Sequence, residues 1–298
     1  MKSNVFKSSD KNVIKFVFES EQGCKGKPIA VESVLYKYNS YLNRTVICCS
    51  TQCGCPVGCS FCGTGRFFVR NLTADEIVEQ VDSVLKYVDC ETRDIKKLQI
   101  MFMSMGEPFL NYNNLHLAIN ILAKKYSNAQ LLVSTSAPLG QTLNYFDDFI
   151  ALSKSIKNIG IQFSVHESTD ESRAMLIPTS TCCLSTIGIL GERWAIATGR
   201  KPYFNYCVHE NNCYIDDANR LLELFDPSVW EATLSVVCQK DETVQNSINR
   251  QLNIIDDFNK YMIARGFSTR VFNPAGQDDI GGGCGQLWYF QEWLNNNK

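Results

Sequence analysis

From residue 44 onward the chain repeats one unit, an apolar run of strand length followed by a stretch with helical spacing, and this repetition narrows the possible folds more than any other feature. The strand-like runs are RTVICCS (44–50), KLQIMFMSM (97–105), QLLVSTSA (130–137), NIGIQFSVH (158–166), PYFNYCVH (202–209), ATLSVV (232–237) and STRVFN (268–273). Between them, Thr73-Ala-Asp-Glu76 forms a capping box that opens a helix with apolar positions Ile77, Val78, Val81, Val84, Leu85 and Val88. Further helices are predicted near 114–126, 144–156, 184–198, 216–225 and 242–265. Alternating strands and helices demand a parallel sheet, because parallel neighbours need crossover connections and the helices then cover the faces. Six such units predict an α/β fold, a partial (β/α)6 barrel over residues 44–298. Ahead of it, 11–20 and 28–38 alternate apolar and polar side chains and predict a small β-hairpin extension within residues 1–43. In such sheets ligands sit at the carboxyl ends of the strands, so the residues that follow each run are the candidates for chemistry.

The first barrel strand runs directly into a cysteine-rich loop. Six cysteines lie between positions 48 and 62, and Cys55, Cys59 and Cys62 form Cys-x3-Cys-x2-Cys on a loop carrying glycine and proline. Three thiolates leave one iron of a 4Fe-4S cube open to a substrate, whereas a structural cluster or structural zinc takes four protein ligands. Zinc held by four of the six cysteines is the competing assignment, although no second Cys-x2-Cys or His-x3-His pair completes its pattern. The spacing, with aromatic Phe61 before the last cysteine, resembles the radical S-adenosylmethionine (SAM) superfamily. Its open iron chelates the amino and carboxylate groups of SAM, and one-electron reduction then yields a 5′-deoxyadenosyl radical.

Four other segments fall at or after strand ends. Gly106 and Glu107, in Ser104-Met-Gly-Glu-Pro108, can offer carbonyls and a carboxylate to an ammonium group, or be only a Pro-terminated turn. Ser134 and Ser136 can bind a carboxylate or ribose, or form a polar strand edge. Ser164 and His166 share a side of their strand and can hydrogen-bond SAM or substrate, although a lone histidine is usually structural. Gly281-Gly-Gly-Cys284-Gly puts a thiol on a loop that no core needs, with an incidental cysteine in a Gly-rich turn as the alternative. Composition bounds the setting. The start, MKSNVFKSSDKNVIKF, lacks the apolar region of a signal peptide, and no apolar run has membrane length, which predicts a cytoplasmic protein with no membrane partner. Fourteen cysteines then serve as thiols, metal ligands or catalytic groups rather than as a disulfide framework. A net charge of −2 gives no support to nonspecific phosphate attraction, though a local basic patch can hide in the average.

Taken in order, AVESV, Cys48 seven residues before the triad, CPVGCSFCGTG, RNLTADEIVEQV, MSMGEPFLNY, VSTSAP, SVHESTDESRAMLIP and DDIGGGCGQL resemble the RlmN/Cfr family over about residues 28–290. These radical SAM enzymes methylate carbon 2 or carbon 8 of adenosine in RNA. The resemblance implies that Cys55, Cys59 and Cys62 ligate a 4Fe-4S cluster and that Glu107, Ser134, Ser136 and His166 hold SAM. It implies that Cys284 is methylated by one SAM, loses a hydrogen atom to the radical from a second, and becomes bonded to the adenine carbon. Cys48 then removes the proton from that carbon and closes a disulfide with Cys284, while Glu32 grips the adenine amino group. Such an enzyme draws electrons from a donor such as flavodoxin or ferredoxin, and a monomer is expected.

The pattern departs in places. Ser104 replaces the first glycine of Gly-x-Gly-Glu-Pro, Gly282 and Gly283 replace two alanines, and the segment that normally ends in Asn-Pro reads Ser-Val-Val-Cys238-Gln-Lys. Family members carry a helical RNA-binding domain ahead of the hairpin, and this chain begins almost at the hairpin. The expected function is therefore a radical SAM methyl synthase acting on an sp2 carbon of adenine in RNA. The same chemistry on a small nucleotide, another metabolite or a peptide is one alternative, and a noncatalytic metal-binding RNA module is another.

Overall fold

The computed structural model describes residues 2–24, 27–237, 244–272 and 280. Its elements, in chain order, are β1 (Lys2–Lys7), β2 (Val13–Cys24), β3 (Lys27–Tyr38), β4 (Arg44–Cys49), β5 (Gln52–Gly54), β6 (Phe68–Asn71), α1 (Ala74–Leu85), β7 (Leu98–Phe102), α2 (Tyr112–Lys125) and β8 (Ala129–Thr135). There follow α3 (Leu139–Ser155), β9 (Ile159–Ser164), α4 (Asp170–Leu176), α5 (Leu184–Thr198), β10 (Tyr203–Val208), α6 (Ile215–Leu224), β11 (Glu231–Val236), α7 (Val244–Ala264) and β12 (Ser268–Phe272).

Ten strands form one sheet in the order β1-β2-β3-β4-β7-β8-β9-β10-β11-β12. From β4 to β12 every neighbouring pair is parallel, as the strand-helix rhythm requires, and this is the (β/α)6 part of the fold. The expected hairpin is β2 with β3, and it joins the same sheet by antiparallel pairing that sets Val34 opposite Cys48. A further strand, β1, pairs with β2. β5 and β6 form a separate two-stranded ribbon within the cysteine-rich region.

Alternation along each barrel strand divides its side chains between two faces. Ile47, Ile100, Leu131, Val133, Ile161, Phe163, Phe204 and Leu234 face the helices and belong to the main apolar core. Burying a side chain of this size contributes about 1.5–3 kcal/mol. Val34, Tyr36, Val46 and Cys48 form a second, smaller cluster with Val13 and Ile280, and Met101 and Met103 pack against it. Helix α1 has the capping box that its sequence promises. Glu76 N–H donates to Thr73 Oγ1 at 3.2 Å and Thr73 N–H donates to Glu76 Oε2 at 2.9 Å.

Candidate active site

The cysteine loop leaves the carboxyl end of β4 and is fixed from three directions before Cys55. Gln80, fully buried on α1, treats Ser50 as a strand partner would, accepting from its N–H at 2.9 Å and donating to its carbonyl at 3.1 Å. Asn111 Nδ2 donates to the carbonyls of Thr51 and Leu72. The N–H groups of Thr51 and Gln52 donate to Met105 O, which joins the exit of β4 to that of β7. At Gly54 φ is +76°, and a Cβ would lie 1.8 Å from Phe67 O, so only glycine lets β5 close on the returning chain. Cys55 N–H then donates to Phe67 O at 2.6 Å, and Ser60 N–H donates to Leu176 O at the end of α4.

Cys55, Cys59 and Cys62 are each half-buried. Burial pushes the Cys55 thiol up to about 12. It raises Cys59 as well, and the neighbouring Cys62 and Cys55 add to that rise, so the three thiols lie within electrostatic reach of one another. Such a set carries three negative charges stably only against a cation. Among the described residues, no three His, Cys, Asp or Glu side chains are gathered closely enough for a single metal ion.

Glu107 is a clasp between strand exits. Its Oε1 accepts from Thr135 Oγ1 at 2.6 Å and Phe109 N–H at 3.0 Å, and its Oε2 accepts from Ser136 N–H at 2.7 Å and Ser136 Oγ at 2.8 Å. Burial pushes this carboxyl's pKa up, and the four donors pull it part of the way back. Gly106, at φ +96°, brings the chain against Gln52, where a Cβ would lie 2.6 Å from the Gln52 Cβ. Gln52 Oε1 in turn accepts from Glu107 N–H.

Arg173 on α4, 2 % exposed, is one of the residues that sequence reading missed. Its Nη2 donates to Ser136 O at 2.8 Å and Ser164 O at 3.0 Å, its Nη1 to Thr181 Oγ1 and Cys182 O, and its Nε to Val165 O at 3.2 Å. One guanidinium thus fixes the exits of β8 and β9. No motif could have exposed this, because most of its partners are main-chain carbonyls, which carry no residue identity.

His166 follows β9 with φ +64°, a left-handed conformation that is uncommon outside glycine and ends the strand's alternation. Its ring stands edge-on to Phe61 of the cysteine loop, with centroids 5.4 Å apart. Burial, helped by the Arg173 charge, lowers its pKa to about 3, so the ring is neutral at ordinary pH. Its Nδ1 is buried and has no hydrogen-bond partner among the described residues. Because the folded pKa lies below the unfolded value of 6.5, the unfolded state takes up the proton first. This contribution to stability is complete above pH 6.5 and is lost as pH falls toward 3. Urea unfolding at about pH 7 and pH 5 should show wild type losing about 2 kcal/mol more than His166→Gln over that interval. Equal losses would overturn this account.

The remaining candidates fall as follows. Ser134 and Ser164 lie on the strand face turned away from the helices, half-buried, while Ser136 belongs to the Glu107 clasp. Cys48 projects from the corresponding face of β4, where burial pushes its thiol up to about 12 and a hydrogen bond with Tyr36 opposes the rise. Glu32 is fully buried, with Oε2 3.6 Å from Lys15 Nζ. Its carbonyl accepts from Ser50 Oγ at 2.6 Å and Ser104 Oγ at 2.8 Å, which ties the hairpin to the exits of β4 and β7. Cys284 lies outside the described residues, as does Cys238.

A parallel partial barrel with a three-cysteine loop at the carboxyl end of its first strand defines a radical SAM enzyme, and the radical SAM superfamily model matches residues 49–182. A radical SAM methyltransferase from Sphaerobacter thermophilus superposes with a TM-score of 0.77 at 26% identity, covering 96% of this chain and 80% of that one. A probable dual-specificity RNA methyltransferase RlmN from Pseudothermotoga lettingae is 31% identical over 94% of this chain and 77% of its own length. Its counterpart from Thermotoga neapolitana is 32% identical over 92% and 75%. The chain belongs to the RlmN family of radical SAM methyltransferases, which work with a 4Fe-4S cluster and SAM. The residues present fit that pair. Three neighbouring thiols suit the cluster, and the unpartnered His166 Nδ1 beside Phe61 suits a polar ligand next to it. No helix among the described residues is long and apolar enough to cross a membrane.

Proposed function

We propose that this protein methylates an sp2 carbon, carbon 2 or carbon 8, of adenine in RNA through a methyl-cysteine on Cys284 that Cys48 resolves. RNA as substrate rests on the names of the relatives, which are RNA methyltransferases. The cysteine route rests on one packing observation. Ile280, four residues before Cys284, is buried in the same small cluster as Cys48, Val34 and Tyr36.

When bound, the cluster and SAM supply a methyl group and one-electron reactivity. Cys55, Cys59 and Cys62 would hold the cluster, and Gly106, His166 and the serines at the β8 and β9 exits would hold SAM. The Cys284 sulfur accepts the methyl group and presents its carbon to the adenine. An amidine carbon is neither acidic nor nucleophilic, so a tethered carbon radical supplies the reactivity that polar transfer lacks. Once the adduct has returned one electron to the cluster, Cys48 as its thiolate would take the proton from the substituted carbon. Deprotonated again, its sulfur would attack the Cys284 sulfur, and the bond from that sulfur to the methylene carbon would break with the electron pair left on carbon, which takes up a proton to become the methyl group of the freed product. The high pKa of Cys48 keeps its thiol protonated in the resting protein, so Cys48 must give up that proton before it can act as the base. Glu32 faces the adenine amino group in this reading.

The test is peptide mass spectrometry of anaerobically reconstituted protein after incubation with methyl-labelled SAM. A labelled methyl on Cys284, lost from Cys284→Ala and retained in Cys48→Ala, is the expected result. An unlabelled Cys284 with the cluster intact would overturn the methyl-cysteine route.

A further inference from the structure

Beside His166 lies a polar network that the proposed chemistry leaves unused. Glu167, 6 % exposed, accepts from His209 Nε2 at 2.7 Å, which joins the exits of β9 and β10. The tautomer follows from the other ring nitrogen. Asn211 N–H donates to His209 Nδ1 at 3.3 Å, so Nδ1 carries no proton and Nε2 must carry it. Both nitrogens are engaged, which makes this ring a strut between the two strand exits.

Asn212, 1 % exposed, completes the network with its whole side chain. Its Oδ1 accepts from His209 N–H at 2.8 Å, and its Nδ2 donates to His166 O and Cys207 O, each at 2.9 Å. Its own carbonyl accepts from Tyr206 Oη at 2.8 Å. On the other side of the same residue, His166 N–H donates to Asn205 O. The left-handed backbone of His166 is thus pinned at its N–H and its carbonyl, while the next side chain, Glu167, is tied to His209. A non-glycine residue in this conformation persists only where its surroundings over-determine it. The residue so held is the one whose buried Nδ1 lacks a partner and whose ring meets Phe61 of the cysteine loop.

We infer that Asn212, braced by the Glu167–His209 pair, is a positioning residue that aims His166 at bound SAM. The inference rests on the reading that His166 contacts SAM. SAM affinity alone tests it, without substrate or turnover. Equilibrium binding to anaerobically reconstituted protein is measured for wild type, Asn212→Ala, His166→Ala and the double variant. Asn212→Ala should bind SAM about tenfold more weakly. In the His166→Ala background the same change should cost less than about twofold, because the group being aimed is gone.

Equal losses in the two backgrounds, or no loss from Asn212→Ala, would overturn the inference and leave Asn212 a purely structural residue. An unchanged affinity in His166→Ala would instead overturn the underlying reading of His166. Should Asn212→Ala fail to fold, His209→Phe takes its place. It removes the ring's hydrogen bonds yet keeps the main-chain N–H that Asn212 accepts, and the same non-additivity with His166→Ala is then required.

Discussion

Replacing Arg173 with methionine is expected to lower the unfolding free energy by about 3–5 kcal/mol and to strip most of the iron from reconstituted protein. Methionine fills similar space, so the loss comes from hydrogen bonding rather than from a cavity. Five acceptors, namely the carbonyls of Ser136, Ser164, Val165 and Cys182 and the Thr181 hydroxyl, would lose their donor inside the fold. The guanidinium itself has no carboxylate in salt-bridge contact among the described residues. Burial pushes its pKa down, and the more distant Asp170 opposes that change. A fork of five N–H groups satisfies several carbonyls at once, which a lysine ammonium cannot reproduce, so Arg173→Lys should recover only part of the loss. Iron is affected because α4, which carries Arg173, also accepts the cysteine loop's Ser60 N–H at Leu176 O, at 2.9 Å. Urea unfolding and iron per chain are the measurements. A methionine variant with wild-type midpoint and full iron would show that the carbonyls find other donors.

The contrast between Arg173 and the cysteine triad marks how far the sequence could be read. Cys55, Cys59 and Cys62 are legible as a pattern because their spacing is local, with three and then two residues between them, and the chain must carry it as written. The barrel is legible because period 2 and period 3.6 are also local, and the Thr73–Glu76 box announces α1 with both of its hydrogen bonds. Short elements were missed. Lys2–Lys7 is too polar to stand out as a strand, and Gln52–Gly54, Phe68–Asn71 and Asp170–Leu176 are too brief to show a period.

The residues that shape the site were hidden for another reason. Gln80, Asn111, Arg173 and Asn212 are buried polar side chains whose partners are mostly main-chain groups of other elements. A carbonyl has no residue identity, so no motif records that it is being held. Glu107 shows the same limit within a recognised motif. The sequence leaves it either a carboxylate offered to an ammonium group or part of a Pro-terminated turn, whereas the fold employs both of its oxygens to secure the exit of β8. His166 was picked for its position on a strand, yet its left-handed backbone and buried ring depend on the β10 exit loop, more than forty residues later.

Glu107→Gln is expected to destabilise the fold by about 2–4 kcal/mol and to weaken SAM binding at least tenfold. The exchange barely changes volume, so it isolates the demand for acceptors. Four donors converge on two carboxylate oxygens, from Thr135 Oγ1 and Phe109 N–H on one and from Ser136 N–H and Oγ on the other. An amide keeps one oxygen and turns the other into an NH2 group, which must then face two donors. The SAM effect follows because the displaced atoms belong to Ser136 and to the turn after Gly106, where SAM is proposed to sit. Urea midpoints and equilibrium SAM binding would be compared with Glu107→Ala, which removes both oxygens and leaves all four donors without this acceptor. The outcome also decides the charge of the native side chain, since burial favours the neutral acid while the donors favour the carboxylate. A neutral acid, like an amide, offers one oxygen as acceptor and uses the other as a donor. If glutamine matched wild type in both measurements, Glu107 would be protonated in the folded protein. A large loss with glutamine means that the clasp is closed by the ionised form, held by its four donors against the cost of burial.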